Sequence, residues 1–369
     1  MATRYYYSQA SGANDGTSEA DAFTDLQTAY NACSGGDVLY CKKHTSREGV
    51  KTTNLNFNTN NTASPIIVEG YGETPGDGIL YETASPLSVV GEWNIVKYFD
   101  VDKDDDATAN SFVDGCLAYR CKLKGTYAFG NILNCTDASA IECYVEGQCS
   151  ASGDQVLSCN RACIIGCYIQ MNFDGSDLGD AVEIAAGFRA NTFINNVVVG
   201  NGSIGSGGPV YGVRITSAAN MAPPQVVANN TIVNFTDGIR EPNGIPNNRT
   251  GSVHHYGNII YDCTNGINNN QGVNSTTLGH ISASNAFGNI TTAQHTNIGF
   301  IDSAVTLTES PFIDTTHFAL NNAPGGGALL KGKLGIQDKT NPALTAAREF
   351  FDTHGANTPI PVKETSRSF

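Results

Sequence analysis

The sequence predicts an all-β fold, a single-stranded right-handed parallel β-helix in which each coil stacks on the previous one. The first observation is a five-residue segment that recurs about every 22 to 34 residues with one small polar residue at a fixed place. Imperfect periods of this length in β-rich units are typical of a solenoid. The aligned positions are Cys121, Cys143, Cys167, Asn196, Asn230, Asn258 and Asn285.

A second ladder lies upstream in the same units. Here a turn residue is followed by an apolar residue and then by a variable one, which points outward because strand side chains alternate. We expect an inward stack of Val156, Val182, Val213, Ile239 and Ile267. The expected outward column is Leu157, Glu183, Arg214, Arg240 and Asn268.

The small residues of the first ladder suit a tight interior corner. Stacked strands lie about 4.8 Å apart, so an Asn can pass amide hydrogen bonds from coil to coil. Asn also tolerates the left-handed backbone that a sharp corner needs. We expect the eleven cysteines to be mainly reduced core thiols. Disulfides are one alternative, and a zinc site at Cys159, Cys163 and Cys167 is another.

The elements divide into a cap at residues 1–50, a β-helix at 51–330 and a C-terminal extension at 331–369. In the cap, Arg4 to Ser8 predicts an aromatic strand. Thr24 to Gln27 begins an amphipathic helix that ends at Gly35 and covers the end of the solenoid. The extension, rich in proline and polar residues, is suited to docking or oligomerisation.

Composition excludes several classes of partner. The net charge of −14 disfavours nonspecific binding to nucleic acid or to anionic membranes. No apolar stretch approaches transmembrane length, and the first residues lack the pattern of a secretory signal. We therefore expect neither nucleic acid nor membrane as a partner.

Several motifs resemble the pectate-lyase-like superfamily of parallel β-helix proteins. The opening motifs are Tyr6-Tyr7-Ser8, Asn14-Asp15-Gly16-Thr17, Ala22-Phe23-Thr24-Asp25-Leu26-Gln27 and Gly36-Asp37-Val38. Pro311-Phe312-Ile313-Asp314 is similar to the segment that ends such helices. The resemblance implies the fold but not one function, because the superfamily holds lyases, hydrolases, epimerases, adhesins and phage spikes.

The first functional hypothesis is a structural or attachment protein of a phage virion. Phage tail spikes and head-decoration proteins are similar in fold, and reduced cysteines without an export signal fit a virion protein made in the host cytoplasm. The extension at 331–369 would join other virion proteins, and the β-helix surface would bind a cell-surface glycan. A homo-oligomer is expected, with a trimer favoured. A bacterial adhesin is a further alternative.

The second hypothesis is a polysaccharide lyase or glycoside hydrolase that acts along one face of the β-helix. Hydrolysis needs two carboxyl groups beside the scissile bond, and β-elimination needs a base, often Arg or Lys, with acidic residues that hold Ca²⁺ against a uronate. The catalytic candidates are Asp180, Glu183, Arg214, Asp237 and Arg240. Motif fragments also resemble the polygalacturonase signature, but Ala181 replaces its second acid and Asn201 replaces its His.

Each candidate also has a structural interpretation. Arg214 can form an exposed ion pair with Glu183 or Glu241 across coils. No cofactor or metal is expected, although Ca²⁺ is an alternative at two acidic loops. One loop contains Asp102, Asp104, Asp105 and Asp106, and the other contains Asp174, Asp177, Asp180 and Glu183. His254-His255 predicts an ordinary coil position.

Overall fold

A computed structural model describes most of the chain, and the described residues form a β solenoid. They are residues 1–42, 55–58, 64–71, 79–82, 87–91, 94–103, 109–127, 131–149, 155–172, 179–185, 190–203, 210–216, 225–241, 253–269, 281–294, 300–302, 304–315 and 318–331. Asp104–Asp106, Asp174 and Asp177 of the predicted acidic loops lie outside the described residues. So does the predicted extension apart from Lys331.

Three parallel sheets form the solenoid, and each coil in its middle contributes one strand to each sheet in the order sheet 1, sheet 2, sheet 3. Sheet 1 has twelve strands: Thr3–Tyr6, Val38–Lys42, Ile66–Tyr71, Asn94–Lys97, Leu117–Tyr119, Ser139–Ile141, Cys163–Ile165, Thr192–Ile194, Gln225–Ala228, Val253–Tyr256, Ile281–Ala283 and Phe300–Asp302. Their register pairs equivalent residues of successive coils, for example Ala118 with Ala140 and Ala140 with Ile164.

Sheets 2 and 3 have ten strands each. Sheet 2 contains Ile79–Glu82, Phe99–Lys103, Lys122–Tyr127, Tyr144–Cys149, Tyr168–Asn172, Val197–Asn201, Thr231–Val233, Ile259–Tyr261, Ala286–Gly288 and Val305–Leu307. Sheet 3 contains Leu55–Asn58, Leu87–Val90, Asn110–Val113, Asn131–Thr136, Gln155–Asn160, Gly179–Ala185, Val210–Thr216, Asp237–Glu241, Asn265–Asn269 and Thr292–Gln294. The predicted fold class, a parallel β-helix, is confirmed.

The first ladder lies at the corner between sheets 1 and 2, and its Asn residues form a continuous stack of amides. Asn196 Nδ2 donates to Asn230 Oδ1 at 3.1 Å, Asn230 Nδ2 to Asn258 Oδ1 at 3.0 Å, and Asn258 Nδ2 to Asn285 Oδ1 at 3.0 Å. The same oxygens accept the backbone N–H of the preceding ladder residue. All four Asn are buried, so this stack supplies the hydrogen bonds that the turn would otherwise leave unmade.

The residue before each ladder position has a positive φ, for example Arg120, Glu142 and Asn195. That backbone conformation turns the chain sharply from sheet 1 into sheet 2. Upstream, Cys121, Cys143 and Cys167 hold the ladder position as thiols, and burial raises the pKa of the first two well above the usual value. The ten cysteines whose side chains the structure describes are free thiols.

The apolar ladder faces the solenoid interior from sheet 3, with one correction to the predicted register. Leu157, and not Val156, pairs with Val182, and the stack continues through Val213, Ile239 and Ile267. Leu157 was expected to point outward but is fully buried. Val156 and Leu157 are consecutive buried residues at a point where strand alternation is interrupted, so an ungapped alignment on Val156 is displaced by one residue.

The N-terminal region contains a strand at Thr3–Tyr6 and a helix at Leu26–Asn31. Asp25 caps the helix by accepting the backbone N–H of Thr28 at 2.7 Å, and Tyr30 stacks on Phe57 of sheet 3 with ring centroids 4.4 Å apart. The helix has only six residues, so the predicted helical cap is not evident. The predicted domain boundaries stay predictions.

Near its C-terminal end the described chain folds back over sheet 2. Apolar residues of this segment, including Phe312, Phe318 and Leu330, bury the outward side chains Val197 and Ile259 of sheet 2. A second short helix lies at Gly327–Leu330. Among the described residues, neither helix has the length and apolar character needed to cross a membrane.

Candidate functional site

A column of charged and polar side chains crosses the outward face of sheet 3. Glu183, Arg214, Arg240 and Asn268 pair in register across four consecutive coils, as the sequence predicts. The parallel ladder places successive members about 4.8 Å apart along the solenoid axis. The coil before them contributes Ser158 to the same column.

A second column, three residues upstream in each strand, supplies the acids. Asp180, Tyr211, Asp237 and Asn265 are in register with one another. Ala181 and Val182 are consecutive buried residues, so the alternation of side chains shifts by one between Asp180 and Glu183. This shift brings Asp180 to the side of the sheet that Arg214 occupies, and both acids Asp180 and Asp237 are almost fully buried beneath the face.

Asp180 and Arg214 form an ion pair between neighbouring coils. Arg214 Nη1 donates to Asp180 Oδ2 at 3.0 Å, and the Asp180 side chain is 0 % exposed whereas that of Arg214 is 38 % exposed. Burial raises the pKa of Asp180 to about 7, while Arg214 lowers it and the charge of Glu183 raises it further. The other oxygen, Asp180 Oδ1, accepts no hydrogen bond from the described residues.

Asp237 anchors the next part of the face. Its Oδ2 accepts hydrogen bonds from Asn268 Nδ2 at 2.8 Å and from Arg240 Nη1 at 3.3 Å, and its Oδ1 accepts one from Asn265 Nδ2 at 2.6 Å. The Arg240 guanidinium lies 5.7 Å from the centre of the Tyr211 ring. Burial raises the pKa of the Tyr211 hydroxyl, although Arg240 opposes this shift. The network fixes Arg240 between an acid and an aromatic ring.

The alternative to a catalytic role, an ion pair of Arg214 with Glu183 or Glu241, named the wrong partners. Arg214 contacts Asp180, whereas Glu241 points into the solenoid because it follows the outward Arg240 in the strand. There Glu241 Oε1 lies 2.6 Å from His255 Nε2, and both side chains are 0 % exposed. Sequence reasoning missed this contact, although His255 lies at an inward position of sheet 1.

The motifs that resemble the polygalacturonase signature do not come together in one site. Ala181 is buried in the interior, so it offers no group to the face. Asn172 and Asn201 lie on sheet 2, where Asn201 Nδ2 donates to Asn172 Oδ1 at 3.0 Å. They are therefore on a different sheet from Asp180.

The described part of the chain contains no group of three or more His, Cys, Asp or Glu side chains that could hold a metal ion. The Ca²⁺ alternative falls largely on residues outside that part and stays a prediction. What the described face offers chemically is a carboxyl group that titrates near neutral pH, a second carboxyl beside it, and two arginines held by buried acids.

Comparison with known proteins supports the fold. No protein-family model and no curated protein matches the sequence. Among solved structures, the chain is similar to pectate lyase Pel9A, with a TM-score of 0.52 and 11 % identity over 91 % of this chain and 89 % of that one. It is also similar to the PL6 family alginate lyase AlyGC, with a TM-score of 0.49 and 15 % identity over 77 % of this chain and 39 % of that one. At 11 % identity the likeness to pectate lyase Pel9A shows a parallel β-helix fold like that of pectate lyase and nothing finer.

Proposed function

We propose that this chain cleaves a polysaccharide that lies along the outward face of sheet 3, as a lyase or a glycoside hydrolase. The observation that carries the proposal is Asp180, a buried carboxyl group with a pKa of about 7 that contacts Arg214 beside Glu183. Structural neighbours named as pectate lyase and alginate lyase give further support.

In this proposal the two arginines bind the sugar chain. Arg214 and Arg240 are each anchored through one Nη1 atom to a buried aspartate, so their guanidinium groups are held in place before a ligand arrives. A guanidinium has five N–H donors in a fixed plane, and one bond to an aspartate leaves donors for a sugar hydroxyl or carboxylate. Fixed donors of this kind stabilise negative charge that develops during bond cleavage.

Asp180 and Glu183 would transfer protons. A carboxyl group with a pKa near 7 is present in both its protonated and ionised forms at neutral pH, so it can act as an acid or as a base. Glu183 is half-buried on the outward column, and its charge contributes to the raised pKa of Asp180. Two neighbouring carboxyl groups in different environments, one buried beneath the face and one half-buried on it, are an arrangement that general acid–base cleavage uses.

The test is turnover of a panel of acidic and neutral polysaccharides by the full chain. New reducing ends report any cleavage, and absorbance of unsaturated uronate reports β-elimination specifically. Asp180→Asn and Arg214→Ala should each lower turnover at least about 100-fold, which is the usual size of a lost acid–base or oxyanion contact. Ser158→Ala, one coil earlier in the same column, is the matched control and should retain activity.

Loss of activity in Arg214→Ala with an unchanged melting temperature would support a role in the reaction. Failure of the whole panel with folded protein, or full activity of Asp180→Asn, would contradict the proposal. Virion attachment, the first function predicted from the sequence, rests on residues 331–369, of which only Lys331 is described. It therefore stays a prediction.

A further inference from the structure

Each of nine consecutive strands of sheet 1, from Ile66–Tyr71 to Ile281–Ala283, carries an apolar outward side chain, and the first two also carry Glu69 and Lys97, which form an ion pair at 3.6 Å. In the middle strands the inward residues are fully buried, and the outward residues on either side of them are half-buried. We call these outward residues the apolar stripe: Leu117, Tyr119, Ile141, Cys163, Ile165 and Ile194.

The outward faces of sheets 2 and 3 differ from that of sheet 1. On sheet 3 the outward column is polar, as Ser158, Glu183 and Arg214 show. On sheet 2 the apolar outward residues are covered by the C-terminal segment through Phe312 and Leu330. Neither buried apolar cluster of the described residues includes a member of the apolar stripe. An apolar face of this extent is a mark of an interaction site.

Charged side chains border the apolar stripe on both sides. At the corner with sheet 2, Arg120 Nε donates to Glu142 Oε2 of the next coil at 2.6 Å. At the opposite corner, Arg161 pairs with Asp137 of the preceding coil. These residues directly flank the three central strands that carry the stripe. An apolar centre with a polar rim is the usual composition of a protein–protein interface.

We propose that the outward face of sheet 1, with the apolar stripe at its centre, is the interface of a twofold symmetric dimer of this chain. In a twofold dimer the same patch faces itself, whereas a trimer needs a second complementary patch on each copy. Among the described residues the outward face of sheet 3 is polar, and that of sheet 2 is charged at Lys124 and Glu146 and covered by the chain itself farther along. The partner surface that matches the stripe is therefore a second stripe, and the dimer replaces the trimer favoured from the sequence.

The outward face of sheet 1 is large enough for a stable dimer interface. Nine strands about 4.8 Å apart span about 38 Å, and three strand residues with a corner on each side span about 20 Å. The face therefore covers on the order of 750 Å² per copy, close to the roughly 800 Å² per partner of a standard stable interface. Two such parallel sheets can pack face to face about 10 Å apart.

Sedimentation equilibrium of the full chain, at about 1 to 100 µM, tests the proposal directly. We expect a mass of twice the 38.9 kDa of the chain. Ile165→Glu places a charge at the centre of the interface and should weaken dimerisation at least about 100-fold. Ser158→Glu adds the same charge in the adjacent coil on the polar face of sheet 3, so it should leave the dimer intact.

Circular dichroism and thermal melting establish that each variant is folded, and Ile141→Glu on the adjacent strand serves as a second interface variant. A monomer or a trimer across the whole concentration range would overturn the proposal. A dimer that persists in both folded variants would also overturn it, because association would then use another surface.

Discussion

Replacing Asp180 with asparagine should abolish a loss in the free energy of unfolding that occurs as the pH rises. Burial raises the pKa of Asp180 from 3.8 to about 7, while Arg214 lowers it and Glu183 raises it. Because the folded pKa lies above the unfolded value, the folded state binds more protons between about pH 4 and pH 7. The free energy of unfolding therefore falls as the pH rises through this window and becomes level above it.

The magnitude follows from the two pKa values. The difference between 3.8 and about 7, at about 1.36 kcal/mol for each pH unit, corresponds to about 4 kcal/mol. Asparagine is isosteric with the protonated acid and does not titrate. The free energy of unfolding of Asp180→Asn, relative to the natural chain, should thus increase by about 4 kcal/mol between pH 4 and pH 8.

Urea unfolding followed by circular dichroism at pH 4, 6 and 8 measures this difference. Glu183→Gln removes a charge that raises the pKa of Asp180, so the fall in stability with pH should become smaller. Ser158→Ala removes no charge and should give a curve parallel to that of the natural chain. An Asp180→Asn curve that also runs parallel at all three pH values would refute the reasoning.

Two further substitutions probe the solenoid itself. Asn230→Ala should lower the free energy of unfolding by about 3 kcal/mol or more, since it removes the acceptor shared by the buried Asn196 side-chain and backbone N–H groups and one of the two donors to Asn258 Oδ1; urea unfolding measures the loss, and a change below about 1 kcal/mol would contradict the role of the ladder. Gly238→Ala would place a Cβ 2.4 Å from Ile260 Cγ2, so we expect a loss of about 1 to 3 kcal/mol, and an unchanged melting temperature would show that this contact relaxes freely.

The corner between sheets 1 and 2 could be predicted from the sequence because two local requirements coincide there. A small residue that can stack recurs in each coil, as at Asn196, and a sharp corner needs a left-handed residue. The left-handed backbone lies on the residue before the stacked position, such as Asn195 or Glu142, and not on the stacked Asn as the sequence suggested. The register of Glu183, Arg214 and Arg240 was also predictable, since it follows from the same repeat.

Other features of the structure could not be predicted from the sequence repeat. Val156 and Leu157 are both apolar, so composition does not show which of them occupies the inward column. The pairing of Asp180 with Arg214 depends on interrupted alternation at Ala181 and on the reach of a side chain between coils. Neither appears in an ungapped alignment, because a strand is assumed there to alternate without interruption.

The Asn stack also determines how this protein can change in length. Asn196, Asn230 and Asn258 each donate one side-chain N–H to the next Asn and the other to a carbonyl oxygen of the preceding coil, so each presents the same set of groups to its neighbours. A whole extra coil carrying one Asn, inserted between Asn230 and Asn258, would therefore join the stack without leaving an amide unpaired. An insertion of part of a coil would break it. Evolution of this chain by duplication or deletion should proceed in steps of one coil.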